Sequence, residues 1–142
     1  MSRAIDIMTQ TPATLPENAT VGDAVQALQM LDVRHLPVIN AQREVVGMFS
    51  DRDLRALSTP RITNEQWIGE YKVALQTKVR DVMTQDVITI EEECEVTEII
   101  ELMLEHKVGA LPVVDAEGAL SGIVSYIDVL RALYELEARA AE

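Results

Sequence analysis

Leu36-Pro37-Val38-Ile39-Asn40, followed closely by Gly47-Met48-Phe49-Ser50-Asp51-Arg52-Asp53, decides the fold, because the same pattern returns 75 residues later. There the chain reads Leu111-Pro112-Val113-Val114-Asp115 and then Gly122-Ile123-Val124-Ser125-Tyr126-Ile127-Asp128. Residues 6–57 align with 81–132 at this offset without a gap. The identities run past the two motifs: Met8 pairs with Met83, Thr9 with Thr84, Thr14 with Thr89 and Val33 with Val108. A register held over this length marks an internal duplication, which has to be recognised before other elements are assigned.

Working outward, each copy reads alike. After Met-Thr comes a short extended piece, at Ala13-Thr14-Leu15 and at Val87-Ile88-Thr89-Ile90. Val21, Ala24, Val25 and Leu28 then fall at i, i+3, i+4 and i+7, as do Val96, Ile99, Ile100 and Met103, so each copy has a helix with one buried face. Thr20 is a good N-cap for the first helix. Two strands follow, over residues 36–40 with 45–50 and over 111–115 with 119–125, and a last helix starts near Asp51 or Tyr126. Asp115-Ala116-Glu117-Gly118 has Asp and Gly where a type I turn favours them. The expectation is a mixed α/β (α+β) fold of two β-α-β-β-α repeats packed as a pseudo-twofold pair. A unit of about 50 residues buries little surface alone, and pairing remedies that. Repeat 1 is assigned to residues 1–57, a linker to 58–77, and repeat 2 with a helical tail to 78–142. The linker carries Trp67, Ile68, Tyr71, Val73 and Leu75, so it reads as partly helical and packed against the pair.

Composition bounds the function. The chain of 142 residues is 48% hydrophobic but only 4% aromatic, a globular composition whose core must be aliphatic. No apolar run approaches the roughly 20 residues needed to span a bilayer, and the start of the chain is charged, so a cytoplasmic protein is expected. Cys94 is the single cysteine, and with His35 and His106 the only histidines there is no zinc-ligand pattern. A net charge of −12 argues against nucleic-acid binding, which needs clustered Lys and Arg. The acidity is uneven: residues 78–142 hold five Lys or Arg against fifteen Asp or Glu, and residues 1–57 hold five against seven. Basic groups able to meet a small anion therefore lie mostly in the first half, at Arg34, Arg43, Arg52 and Arg55. No nucleophile elbow or Walker loop is present, and catalysis is not expected.

Met-Thr, then Leu-Pro-Val-x-(Asn or Asp), then Gly-hydrophobic-hydrophobic-Ser-x-x-Asp, all given twice, resembles a tandem pair of CBS domains, the module named after cystathionine beta-synthase. The resemblance covers nearly the whole chain outside the linker and tail. It implies a regulatory pair that binds AMP, ADP or ATP, or in some members S-adenosylmethionine, in a cleft between the repeats. Such pairs occur fused to enzymes, channels and transporters and as free-standing proteins that often dimerise. This chain resembles the free-standing type, with a homodimer and a regulated enzyme or transporter as its expected partners.

The chemistry centres on Ser50 with Asp53 and Ser125 with Asp128, each pair three residues apart where a strand passes into a helix. One explanation is structural: Ser at the N-cap with an acid at N3 forms a capping box worth about 1 kcal/mol. The other is functional. A carboxylate on the first helical turn accepts hydrogen bonds from both hydroxyls of a ribose, and free N–H groups at the helix start favour a phosphate. In the family this Asp binds ribose, and residues just before Leu-Pro-Val often meet phosphate. Those are Arg34 and His35 in repeat 1 but Gly109 and Ala110 in repeat 2. The resemblance thus ranks first a cleft of Ser125, Asp128, Arg34 and His35, with adenine near Thr11 and Ala13. It ranks second a cleft of Ser50, Asp53 and Arg52 with Asp86 and Ile88. Arg34 and His35 also read simply as solvated residues before a strand, and the run Glu91-Glu92-Glu93 with Glu95 as a solvated charge cluster at a helix start. The competing function is a ligand-free interaction or dimerisation module.

Overall fold

The computed structural model describes residues 2–57 and 72–141. The elements, in chain order, are α1 (Ala4–Ile7), β1 (Thr9–Gln10), β2 (Leu15–Pro16), α2 (Val21–Leu31), β3 (His35–Ile39), β4 (Val45–Ser50) and α3 (Asp51–Ala56). After these come β5 (Ile90–Glu91), α4 (Val96–His106), β6 (Ala110–Val114), β7 (Leu120–Ser125) and α5 (Tyr126–Ala140). The expected β-α-β-β-α order recurs in each copy, and α5 carries the helical tail. Of the linker, Trp67, Ile68 and Tyr71 lie outside the described residues. Residues 72–76 are helical, and Leu75 packs on the core beneath α2.

The chain divides into two compact units that cut it elsewhere than the repeat boundaries. One is continuous, Ala13–Val87; the other is discontinuous, Met1–Pro12 with Ile88–Glu142. The physical reason lies in how each copy's helix begins. The first N–H groups of a helix have no partner within it and need an outside acceptor. Thr77 C=O accepts from Val21 N–H at 2.8 Å, and Ser2 C=O from Val96 N–H at 3.0 Å. One step on, Val79 N–H donates to Ala19 C=O at 2.8 Å and Ala4 N–H to Cys94 C=O at 2.7 Å. Ala4 and Val79 are fully buried as a result. The segment leading each repeat in sequence therefore docks on the body of the other repeat.

Each unit is built around one sheet. In the continuous unit β3 pairs antiparallel with β4 and parallel with β2, and Met48 on β4 bridges Thr84. In the discontinuous unit β6 pairs antiparallel with β7 and parallel with β5, and β1 adds to the far edge with Thr9 opposite Ile123. The two central strands carry a buried proline, which lacks the N–H a central strand usually needs. Pro37 is tolerated because it stands opposite Met48, whose N–H and C=O both turn away to Thr84, at 3.0 and 2.9 Å. No β3–β4 hydrogen bond is lost. Pro112 stands opposite Ile123 in the same way.

Strands β3 and β6 begin one residue before the sequence reading and end one earlier. Asn40 and Asp115 leave the ladder to close the hairpin turns. Asn40 Oδ1 accepts from the backbone N–H of Gln42 at 3.0 Å and Glu44 at 2.9 Å, and Asp115 Oδ1 from Glu117 at 2.9 Å and Ala119 at 3.0 Å. The duplication is written in the backbone as well. Among the described residues, those with left-handed φ fall into three pairs at the 75-residue offset: Thr11 with Asp86, Asp32 with Lys107, and Arg43 with Gly118. The middle pair ends α2 and α4.

Leu15, Val21, Ala24, Leu28, Leu36, Val38, Phe49 and Val79 form the buried core of the continuous unit. Ala4, Ile90, Ile99, Leu111, Val113, Val124 and Val129 form that of the discontinuous one. Thr20 caps α2, its hydroxyl accepting from Asp23 N–H at 3.1 Å.

Candidate functional site

Strand β4 delivers Ser50, and β7 delivers Ser125, to the N-cap of the next helix, with the aspartate on its first turn. Asp128 Oδ2 accepts from Ser125 N–H at 2.8 Å and from its hydroxyl at 3.0 Å, while Ser125 Oγ accepts from Asp128 N–H at 3.3 Å. Asp53 Oδ2 accepts from Ser50 N–H at 2.9 Å and from its hydroxyl at 3.3 Å. The capping box is thus formed in both copies, and it uses one carboxylate oxygen in each. The other oxygen is where the copies part. Asp53 Oδ1 accepts from the Thr84 hydroxyl at 3.4 Å, whereas Asp128 Oδ1 lies 3.6 Å from Arg131 Nη1.

Register places the remaining candidates. His35 pairs with Ser50 across β3–β4, and Arg34 C=O accepts from Asp51 N–H at 3.2 Å. Arg34 and His35 therefore sit beside Ser50 and Asp53 in the continuous unit, to which Arg52 and Asp86 also belong. Ser125 and Asp128 belong to the discontinuous unit, with Thr11 and Ile88. Ala13 packs on the core of the continuous unit and Ile88 on that of the other. Thr11 N–H donates to Ser121 C=O at 3.3 Å. The residues opposite the second box, Gly109 and Ala110, keep the same backbone pattern: Ala110 pairs with Ser125, and Gly109 C=O accepts from Tyr126 N–H at 3.0 Å.

Burial holds the His35 imidazole below its ordinary pKa of 6.5. Arg34 pushes it the same way, while Asp51 and, more weakly, Asp53 pull it up. Cys94 behaves oppositely. Its Sγ lies 3.2 Å from Glu98 Oε2, and burial together with that hydrogen bond and the neighbouring glutamates pushes the thiol up to about 12. It is a protonated thiol at neutral pH, unsuited to nucleophilic attack. Among the described residues no group of three His, Cys, Asp or Glu side chains is placed to hold a metal ion. Nor is any described helix long and apolar enough to cross a membrane.

Two site residues escape the sequence reading. Thr84 is visible only as half of the repeated Met-Thr pair, and Arg131 only as a cation three residues beyond Asp128 on the same helix. The same close approach explains another repeated pair: a Cβ added to Gly47 would fall on Met83 Sδ, and one added to Gly122 on Met8 Sδ.

A duplicated β-α-β-β-α scaffold carrying a Ser-x-x-Asp box at the same strand-to-helix passage of each copy defines a tandem-repeat module. The CBS domain pattern matches residues 4–59 and again 79–135, and the chain belongs to the CBS domain family. It is 32% identical over 131 residues to a CBS domain-containing protein of Dictyostelium discoideum, covering 92% of this chain and 90% of that one. It is 30% identical over 131 residues to inosine-5'-monophosphate dehydrogenase of Methanocaldococcus jannaschii, covering 92% of this chain and 23% of the enzyme. Among solved structures, a CBSX2 complex with AMP superimposes with a TM-score of 0.80 at 32% identity, covering 96% of this chain and 99% of that one. The CBS-pair protein CBSX2 from Arabidopsis thaliana superimposes with a TM-score of 0.82 at 30% identity, covering 96% of each chain.

Proposed function

We propose that this chain is a regulatory module that binds adenine nucleotides, of the AMP, ADP and ATP class, at its Ser50–Asp53 and Ser125–Asp128 boxes and catalyses nothing itself. The observation that carries the reading is the spare oxygen. A capping box needs one carboxylate oxygen, and in each unit Oδ1 stands outside it, met at 3.4 Å by the Thr84 hydroxyl or at 3.6 Å by the exposed Arg131, partners that a diol in the manner of a ribose can share or displace. The AMP bound to CBSX2 supports an adenine nucleotide as the ligand. On this reading Arg34 and His35 serve the phosphate at the Ser50–Asp53 box, with Arg52 and Asp86 nearby, and Thr11 borders the Ser125–Asp128 box. Regulation requires that the ligand prefer one arrangement of the molecule, since equal affinity for two states shifts nothing. The regulated partner is an enzyme or transporter. The IMP dehydrogenase relative, of which the chain matches under a quarter, favours an enzyme.

The test is calorimetry and thermal unfolding of the ligand-stripped chain with AMP, ADP, ATP and S-adenosylmethionine. Ligand at 100 times its Kd adds about 2.7 kcal/mol of stability per site. Asp53→Ala and Asp128→Ala each remove one site's share. Absence of binding by every compound overturns the reading.

A second reading, a ligand-free interaction or dimerisation module, rests on α5. Ile127, Leu130, Leu133 and Tyr134 lie on one stretch of this helix and stay exposed, Leu130 at 57% and Tyr134 at 75%. A second copy of the chain meeting this face gives the homodimer, which sedimentation of the wild type against Leu130→Glu checks.

A further inference from the structure

We propose that Arg131 is a specificity-determining residue of the Ser125–Asp128 box, one that sets this site against uncharged nucleosides and in favour of phosphorylated ones. The inference rests on the proposed binding of nucleotides at the boxes. Asp128 is nearly enclosed, its side chain 11% exposed, and Oδ2 is already engaged by the Ser125 N–H and hydroxyl. A ligand diol is left with Oδ1. That oxygen faces Arg131 Nη1 at 3.6 Å. The two residues are three apart on α5, so the helix itself keeps the guanidinium within reach of the carboxylate. Arg131 is 63% exposed and can swing away without disturbing the core.

The consequence follows from the chemistry of the competing donors. A diol hydroxyl is a neutral donor, and Arg131 offers a charged one to the same oxygen, so an uncharged nucleoside has to displace or share a stronger partner. A ligand bearing phosphate regains the loss, because the displaced guanidinium is a cation beside it. The other box has no arginine at the equivalent helical position. Position 56, the counterpart of 131, is Ala56, and Asp53 Oδ1 accepts from the neutral Thr84 hydroxyl at 3.4 Å. A hydroxyl both donates and accepts, so Thr84 can stay in place as a ligand diol arrives.

The experiment titrates the full-length chain with adenosine and with AMP by calorimetry, in the Asp53→Ala background so that the Asp128 box alone is read. Arg131→Ala is expected to tighten adenosine about two- to fivefold, the range of a partly exposed ion pair, and to leave AMP unchanged or weaker. Arg131→Lys is expected to keep the wild-type preference for AMP. In the Asp128→Ala background, Ala56→Arg, at an exposed position, is expected to weaken adenosine at the Asp53 box by a similar factor. An unchanged adenosine-to-AMP ratio in Arg131→Ala, with binding still lost on Asp128→Ala, overturns this inference and leaves the nucleotide reading standing. Binding of neither compound to any of these chains overturns both.

Discussion

Phe49 in the continuous unit and Val124 in the discontinuous one occupy the same place in the duplication, and both are fully buried. Their backbones do the same thing while their side chains differ by several carbons. Similar contrasts run through the molecule. Leu36 and Leu111, Pro37 and Pro112, Gly47 and Gly122, and both Ser–Asp boxes are kept, because strand pairing, close approach and helix capping leave little choice. Arg34 and His35 against Gly109 and Ala110, and Ala56 against Arg131, differ where the scaffold makes no demand. The comparison separates what holds the fold from what tunes the site. Geometry is stored in the shared positions, and on the proposed function the unshared ones set selectivity.

The largest expected effect tests the core side of that comparison. Phe49→Ala removes a buried ring and should cost about 3–5 kcal/mol of stability. Val124→Ala at the equivalent place removes less apolar bulk and should cost about 1.5–3 kcal/mol. Urea unfolding of the two variants measures both. Equal losses would mean that the cores are not comparable position by position.

A smaller effect is expected at the shared glycines, and it should be unequal. At Gly122 an added Cβ meets Met8 Sδ and Cγ and also the backbone carbonyl of Thr9, at 3.0 Å, so β1 itself has to move. At Gly47 the close atoms all belong to the Met83 side chain, which is flexible and can turn aside. Gly122→Ala is therefore expected to cost about 1–3 kcal/mol and Gly47→Ala to fall at the lower end of that range. Adding Met8→Ala to Gly122→Ala should recover only part of the loss, since the Thr9 contact remains. A larger loss from Gly47→Ala would reverse the assignment of which leading segment is held the more rigidly.

The duplication, the element order and both boxes are legible in the sequence because each is a local pattern repeated in register. The exchange of leading segments is not. Met8 aligns with Met83 whichever sheet each one packs on, so an offset alignment is blind to the fact that Ser2 caps α4 and Thr77 caps α2. The placement of Arg34 and His35 is legible in part. A hairpin joining two strands across a short turn sets residue 35 opposite residue 50, which puts both basic residues beside Ser50 and Asp53. Arg131 shows as an i, i+3 neighbour of Asp128, but such pairs are common on helices, and that the Asp128 side chain is only 11% exposed is not legible in the spacing.

The smallest expected effect concerns His35, whose counterpart is Ala110. Burial lowers the His35 pKa from 6.5 in the folded chain, so the unfolded chain binds a proton more readily. The sign is then fixed. The contribution to stability is fully present above about pH 6.5 and is lost as the pH falls below that toward the lowered folded value. Asp51 and Asp53 limit the effect by favouring the imidazolium, and Arg34 adds to it. Carboxylates elsewhere also begin to titrate on the way down, so the informative quantity is a difference. Urea unfolding at pH 7.5 and pH 5.5 should show a larger loss for wild type than for His35→Ala, which gives the continuous unit the residue its duplicate already has. An NMR titration of the imidazole supplies the direct check, with a midpoint expected below 6.5. A midpoint at or above that value would show that the two carboxylates, and not burial, govern this side chain. A midpoint above neutral pH would go further and make His35 a standing cation beside the Ser50–Asp53 box, widening the charge contrast between the two boxes beyond what the neutral imidazole gives.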